Sequence, residues 1–279
     1  MKSIKKISAL FLAMTMAVSL AACGGKTEAP SSSAAVSSAP ASSETSEASK
    51  APATEDKTYI IATDTTFAPF EFEDASGKKI GIDMDLIAAI AEDQGFKYEI
   101  QSLGFSAAVT ALEAKQCDGV IAGMSITEER KAKFDFSEPY FDSGVVMGIA
   151  EKDETIKSYE NLKGKNVAIK VGTEGAAFAE SIKDQYGFTV TTFDDSANMY
   201  EDVKAGNSVA CFEDYPVLGY AVTQGVGLKI VTEKEKGSSY GFAVSKGENA
   251  ELLTKFNAGL KNLKDSGKYQ EILDTYIAK

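Results

Sequence analysis

Nine consecutive residues, Ala122-Gly123-Met124-Ser125-Ile126-Thr127-Glu128-Glu129-Arg130, bring a glycine turn, two hydroxyls and a guanidinium within one short reach. They run from the end of an apolar strand into the first turn of a short helix, and strand ends in open α/β sheets are where ligands collect. Backbone groups of Gly123 and Ser125, the hydroxyls of Ser125 and Thr127, and Arg130 could converge on one small anionic group. A guanidinium offers a planar fork that matches a carboxylate. A plain structural role fits the same residues: a capping box from Ser125 to Glu128, with Glu128, Glu129, Lys131 and Lys133 as a solvated face. On this stretch alone both roles stand.

The rest of the chain narrows the chemistry. It has 279 residues, 44% hydrophobic and 25% charged, enough for one or two domains with real cores. A formal net charge of -12 repels nucleic acid, which is excluded as a partner. Histidine is absent, which removes Ser-His-Asp triads, Cys-His nucleophiles and histidine-ligated metals together. No catalytic residue, metal or cofactor is expected. The three cysteines, Cys23, Cys117 and Cys211, have no metal-ligand spacing. Cys117 and Cys211 sit in apolar surroundings as small hydrophobes, in different parts of the fold, so no disulfide is expected between them.

At the N-terminus Lys2, Lys5 and Lys6 precede an apolar run over residues 7–20, with the flanks of a secretory signal. Residues 1–22 are read as a signal peptide. Leu20-Ala21-Ala22-Cys23 resembles a bacterial lipobox, in which Cys23 becomes the lipidated first residue of the mature chain and anchors it outside the membrane. A signal peptide cut nearby without lipidation is the alternative. Residues 23–57 are rich in Ser, Ala, Pro, Thr and Glu and cannot bury enough apolar surface to offset ordering entropy. They are expected to form a disordered tether reaching on the order of 30 Å.

Beyond it, strands alternate with helices. A strand at 59–64 leads to a helix carrying Ile82, Leu86, Ala89 and Ile90 at helical spacing, with Asp83 as N-cap and Gly95 as stop. Strand 97–103, helix 106–115 and strand 119–123 follow, and then the short helix after Thr127. A second series begins near residue 165: strand 166–171, helix 175–185, strand 188–193, helix 197–205, strand 208–212, helix 217–223 and strand 228–231. Two terminal helices carry Leu252, Phe256, Leu260 and Leu263 on one face, and Tyr269, Ile272, Leu273 and Tyr276 on another. Such alternation predicts mostly parallel sheets covered on both faces by helices, in two lobes joined by extended connections.

Five ordered blocks carry a resemblance: Ala62-Thr63-Asp64-Thr65-Thr66-Phe67-Ala68-Pro69-Phe70-Glu71-Phe72, Gly81-Ile82-Asp83-Met84-Asp85-Leu86, the segment 122–140, Lys170-Val171-Gly172-Thr173, and Asp214-Tyr215-Pro216. Residues 57–279 resemble the extracellular solute-binding proteins, family 3, of polar amino-acid ABC transporters, especially the glutamine-binding type. That resemblance implies an α/β, two-lobed, periplasmic-binding-protein-like clamp with two hinge crossovers. Residues 58–139 and 241–279 would form lobe 1, residues 145–235 lobe 2, and residues 140–144 and 236–240 the hinge.

It also implies a site. Arg130 would take the ligand carboxylate with the Ser125 N–H and the N–H groups of Thr173 and Glu174. Asp214, the Gly123 carbonyl and the Ser125 hydroxyl would take the ammonium, beside Ala122. Phe67 and Phe105 fall where the family sandwiches the ligand side chain, and Asp64 and Lys170 would face its far end. An acid and a base together read both halves of a terminal amide, which favours glutamine. Glu213, an extra acid at a position that can touch the side chain, keeps a basic amino acid open as ligand, with glutamate as a further alternative. Glu174 stands where some members have glycine.

The implied function is that of a substrate-binding lipoprotein, expected as a monomer, which closes on a free amino acid and delivers it to a membrane permease with its ATPase. Two alternatives use the same clamp. One is a dehydratase-type enzyme with Glu213 or Glu174 as acid; the other is the sensory lobe of a receptor system.

Overall fold

The computed structural model describes residues 57–277. The expected signal peptide, the lipidated Cys23 and nearly all of the tether lie outside them. In chain order the first elements are β1 (Thr58–Thr63), β2 (Phe72–Glu73), β3 (Lys79–Ile80), α1 (Ile82–Gln94), β4 (Lys97–Ser102) and α2 (Phe105–Glu113). Next come β5 (Gly119–Val120), α3 (Glu128–Lys131), β6 (Phe134–Phe136) and β7 (Phe141–Ala150). A 3-10 turn, Tyr159–Leu162, precedes β8 (Asn166–Lys170), α4 (Glu174–Tyr186), β9 (Thr189–Phe193), α5 (Ser196–Ala205), β10 (Ala210–Asp214) and α6 (Tyr215–Thr223). The chain finishes with β11 (Leu228–Ile230), β12 (Glu235–Tyr240), β13 (Ala243–Ser245), α7 (Ala250–Ser266) and α8 (Lys268–Tyr276).

These strands build two main sheets. The first has the order β4-β1-β5-β13-β6, the second β11-β7-β10-β8-β9, with β12 paired to β7, and β2 and β3 make a separate hairpin. Each sheet has parallel strands as alternation predicts, but is mixed rather than mostly parallel: β1 runs parallel to β4 and β5, and β8 runs parallel to β9 and β10. The strands that carry the chain between sheets are antiparallel. β13 opposes β5 and β6, while β7 opposes β10, β11 and β12. A strand that enters from the other sheet arrives from the ligand-facing edge, and so runs against strands that end there.

Burial follows from pattern. In β7 every residue from Ser143 to Ile149 is buried, as a central strand covered on both faces requires. In the edge strand β4 exposed and half-buried residues alternate. Leu86, Ile87 and Ile90 of α1 pack with Phe256 and Leu260 of α7 against the first sheet. Gly259 permits that approach, since a Cβ there would meet Ile90 Cγ2 at 2.8 Å. Ala108 and Leu112 of α2 cover the opposite face. In the second sheet α4 covers one face through Phe178 and Ala179, and α5 and α6 cover the other through Met199, Val203 and Leu218. Each fully buried side chain of this size stabilises the fold by about 1.5–3 kcal/mol.

Some local expectations change. Gly81, not Asp83, precedes α1; Asp83 lies inside its first turn, fully buried, and accepts hydrogen bonds from distant groups. Gly95 does stop α1 in a left-handed conformation. No Ser125–Glu128 capping box forms: Thr127 is the cap of α3, accepting the Arg130 N–H at 3.2 Å, and Ser125 instead bridges Tyr240. Position decides, because the chain stays extended until Thr127. The stretches expected as bare connections, 140–144 and 236–240, lie mostly in β7 and β12, which pair with each other through Phe141–Tyr240, Asp142–Ser239 and Ser143–Ser238. Cys117 and Cys211 are free and buried.

Candidate functional site

The ends of β1 and β5 in the first sheet and of β8 and β10 in the second meet, and the four termini carry nearly all of the candidate residues. Asp64 follows β1. Ala122, Gly123 and Ser125 follow β5. Lys170 ends β8, with Thr173 and Glu174 next along the chain, and Glu213 and Asp214 end β10.

Arg130 is fixed from two sides. One guanidinium nitrogen, Nη1, donates to the Ser125 carbonyl at 2.7 Å, and Nη2 donates to the Gly172 carbonyl at 2.9 Å. Its guanidinium carbon lies 5.2 Å from the centroid of the buried Phe105 ring. A guanidinium has five N–H donors, so these two bonds orient it and leave others for an anion. The Thr173 N–H makes only a long contact, 3.4 Å, with the Lys170 carbonyl. The Thr173 hydroxyl caps α4, accepting the Ala176 N–H at 3.1 Å, and Glu174 is the first residue of that helix. A cavity of about 630 Å³ opens here, lined by Arg130, Gly172, Thr173 and Glu174 among others.

Asp214 supplies the opposite charge. It is 3% exposed; Oδ2 accepts the Tyr240 hydroxyl at 2.6 Å, while Oδ1 has no hydrogen-bond partner. Burial first, and then the neighbouring Glu213 carboxyl, push its pKa up to about 8, with Arg130 pulling the other way. A buried acceptor without a donor is costly, so Oδ1 marks a place for an incoming N–H.

At the far end Lys170 and Asp64 form a buried ion pair, each about 1% exposed. Asp64 Oδ1 also accepts the Thr65 N–H at 2.6 Å. The Lys170 ammonium lies 4.8 Å from the centroid of the Phe67 ring. Gly123 closes the floor with φ of 51°; a Cβ there would meet Phe67 Cε1 at 2.5 Å, so the position requires glycine. A second cavity, about 500 Å³, flanks this end between Thr65 and Thr66 on one side and Ser196 and Tyr200 on the other.

Glu213 faces away from this row. Its Oε2 accepts from the Ser196 hydroxyl at 2.8 Å and the Tyr200 hydroxyl at 3.2 Å, and Oε1 accepts the Asp214 N–H at 3.0 Å. The pleat explains this, since Phe212 points towards α4 and its neighbour must point towards α5. Burial raises its pKa, while Lys170 acts in the opposite direction.

Sequence alone missed several participants. Tyr240, which holds Asp214 and accepts from the Ser143 hydroxyl at 3.1 Å, sits in a polar, glycine-containing stretch that reads as a loop. Asp83 binds the Gly123 N–H at 2.8 Å and the Tyr140 hydroxyl at 2.9 Å, and Glu71 lies buried beside it. Their only signal was an acid flanked by phenylalanines and an acid inside a helix.

The profile of the bacterial extracellular solute-binding proteins, family 3, matches residues 59–279. The arginine-binding extracellular protein ArtP of Bacillus subtilis (strain 168) is 30% identical over 217 residues, which cover 77% of this chain and 84% of ArtP. Among solved structures, an ancestral arginine-binding protein bound to arginine is 38% identical with a TM-score of 0.74, covering 79% of this chain and 98% of its own. An ancestral arginine-binding protein bound to glutamine is likewise 38% identical with a TM-score of 0.73, covering 80% of this chain and 98% of its own. The second substrate-binding domain of Lactococcus lactis GlnP, in an open conformation, is 40% identical with a TM-score of 0.58, covering 81% and 97%.

Proposed function

The chain belongs to the bacterial extracellular solute-binding proteins, family 3, and from that premise we propose that it binds a free polar amino acid, glutamine in particular, between its two sheets. Arg130 takes the α-carboxylate and Asp214 the α-ammonium. The observation that carries this is the unpartnered Oδ1 of buried Asp214, close enough to Arg130 for their charges to interact.

The Asp64–Lys170 pair supports glutamine. An acceptor and a donor side by side match the NH2 and C=O of an amide, and Lys170 already neutralises the acid that a cationic side chain would seek. A basic amino acid is the second reading, favoured by relatives named for arginine. Capture by closure of the two halves about β7 and β12 would present the loaded protein to an ABC permease and its ATPase, with lipidated Cys23 holding it at the outer membrane surface.

A thermal-shift panel of the twenty amino acids tests this. Glutamine should raise Tm most, and Lys170→Met should move the preference towards arginine and lysine. A panel in which no amino acid shifts Tm would overturn the proposal.

A further inference from the structure

Three acceptor oxygens lie in the interior of the first half with no donor in reach: both carboxyl oxygens of Glu71, and Oδ1 of Asp83. Glu71 is 1% exposed and Asp83 is fully buried, and their carboxyl groups are within hydrogen-bonding contact. Two ionised carboxylates there would repel and would leave every facing oxygen unpaired. One proton between them removes both penalties. The other oxygen of Asp83 already takes two donors, the Gly123 N–H at 2.8 Å and the Tyr140 hydroxyl at 2.9 Å. Those bonds favour the ionised form of Asp83, so the proton belongs on Glu71.

We propose that Glu71 and Asp83 are a positioning pair that shares one proton, with the Glu71 carboxyl donating to Asp83 Oδ1, and that this proton sets the two cleft walls carried by Phe67 and Gly123. The connections are short. The Glu71 backbone carbonyl accepts the Phe67 N–H at 2.8 Å, so anchoring the Glu71 side chain anchors the turn that carries that ring. Asp83 holds Gly123, against which the Phe67 ring packs, and through Tyr140 it reaches the residue before β7. One buried proton thus ties the Phe67 turn, the head of α1, the end of β5 and the root of a crossing strand. The pair stands on this geometry; only its effect on affinity rests on the amino-acid reading above.

The groups facing Glu71 are Asp83 from α1, Asp64 from the end of β1 and Lys170 from the end of β8, with Tyr140 beyond Asp83. Burial, and then Asp83 and Asp64, raise the Glu71 pKa well above the ordinary value, against a smaller opposing pull from Lys170. Burial lifts Asp83 to about 6. The folded state therefore binds more protons than the unfolded chain. The stability from the pair is complete below the ordinary carboxylate pKa and is lost as pH rises through the raised value.

The test compares the full chain with Glu71→Gln, whose amide is neutral at every pH and can donate to Asp83 in place of the acid proton. At neutral pH the infrared difference spectrum, wild type minus E71Q, should contain the carbonyl band of a protonated carboxylic acid; Asp214 is common to both and cancels. As pH rises from the ordinary carboxylate range through the raised Glu71 value, the wild-type Tm should fall relative to that of E71Q, and the ratio of wild-type to E71Q affinity for glutamine or arginine should fall with it, Asp214 being common to both. Glu71→Ala, which supplies no donor, should lower Tm across the whole range. Absence of the band, or equal pH slopes of Tm, overturns the pair. If no amino acid binds at all, the proposed ligand fails while band and slope still decide the pair.

Discussion

Asp214 must be ionised to accept an ammonium, yet with the halves together burial and Glu213 hold its pKa up to about 8. Binding then releases a proton below that pH. Affinity should rise by up to ~tenfold per pH unit towards pH 8 and level off above it, which calorimetry in buffers of different ionisation enthalpy would detect as proton release. A pH-independent affinity across that window would remove Asp214 from the ammonium site. Arg130→Ala tests the carboxylate end. Loss of one partner from such a buried charged contact costs about 2–5 kcal/mol, so affinity for every amino acid should fall roughly thirtyfold or more, whatever the side chain. Lys170→Met should discriminate among side chains instead, because Lys170 meets only the far end. Removing it also strands Asp64 in the interior, so stability should fall by about 3–5 kcal/mol in the absence of ligand, read by denaturant unfolding.

Short elements make these residues effective, and α3 is the clearest case. It has four residues, too few to hold themselves helical, so its cap matters more than in a long helix. The Thr127 hydroxyl accepts the Arg130 N–H and so fixes the residue whose guanidinium reaches Ser125 and Gly172. Thr127→Ala should therefore lower affinity several-fold while costing only about 1 kcal/mol of stability; an unchanged affinity would show that Arg130 is held by its side-chain bonds alone. The sequence made α1, α7 and the strand ends legible, because periodicity and glycine stops report local backbone directly. Ligand residues at strand termini were legible for the same reason: alternation of strand and helix locates the termini. Orientation was not. Whether Glu213 faces the cleft or α5 depends on the pleat of β10, and Asp83 looks like a helix cap until the fold sets Gly123 and Tyr140 against it. β12 stayed hidden because Glu-Lys-Gly-Ser-Ser-Tyr lacks the apolar alternation of a strand, and its pairing with β7 is imposed from outside.

At the scale of the molecule, β7 and β12 carry the chain between the halves, and contacts cross the cleft, among them Asp64 with Lys170, Lys170 with the Phe67 ring, Arg130 with Gly172 and Phe72 with Tyr220. The Asp64–Lys170 and Arg130–Gly172 contacts hold a conformation with the halves together. An amino acid would strengthen that state because its two charges engage different halves, Arg130 in the first and Asp214 in the second. Moving a two-state equilibrium from 1:99 to 99:1 takes about 5.5 kcal/mol of differential binding. Two buried charged contacts at about 2–5 kcal/mol each supply about 4–10 kcal/mol, a range that spans this figure, whereas a single contact falls short of it. Closure should therefore require both. Donor and acceptor dyes on cysteines introduced at exposed Glu99 and Asp184, in a chain with Cys23→Ser, would report the distance between β4 and α4, since Cys117 and Cys211 are buried. Ligand should shorten that distance in the parent, whereas Arg130→Ala and Asp214→Asn should each leave it unchanged at the same ligand concentration. Full closure in either variant would mean that a single half suffices to drive it, and would sink the two-ended clamp.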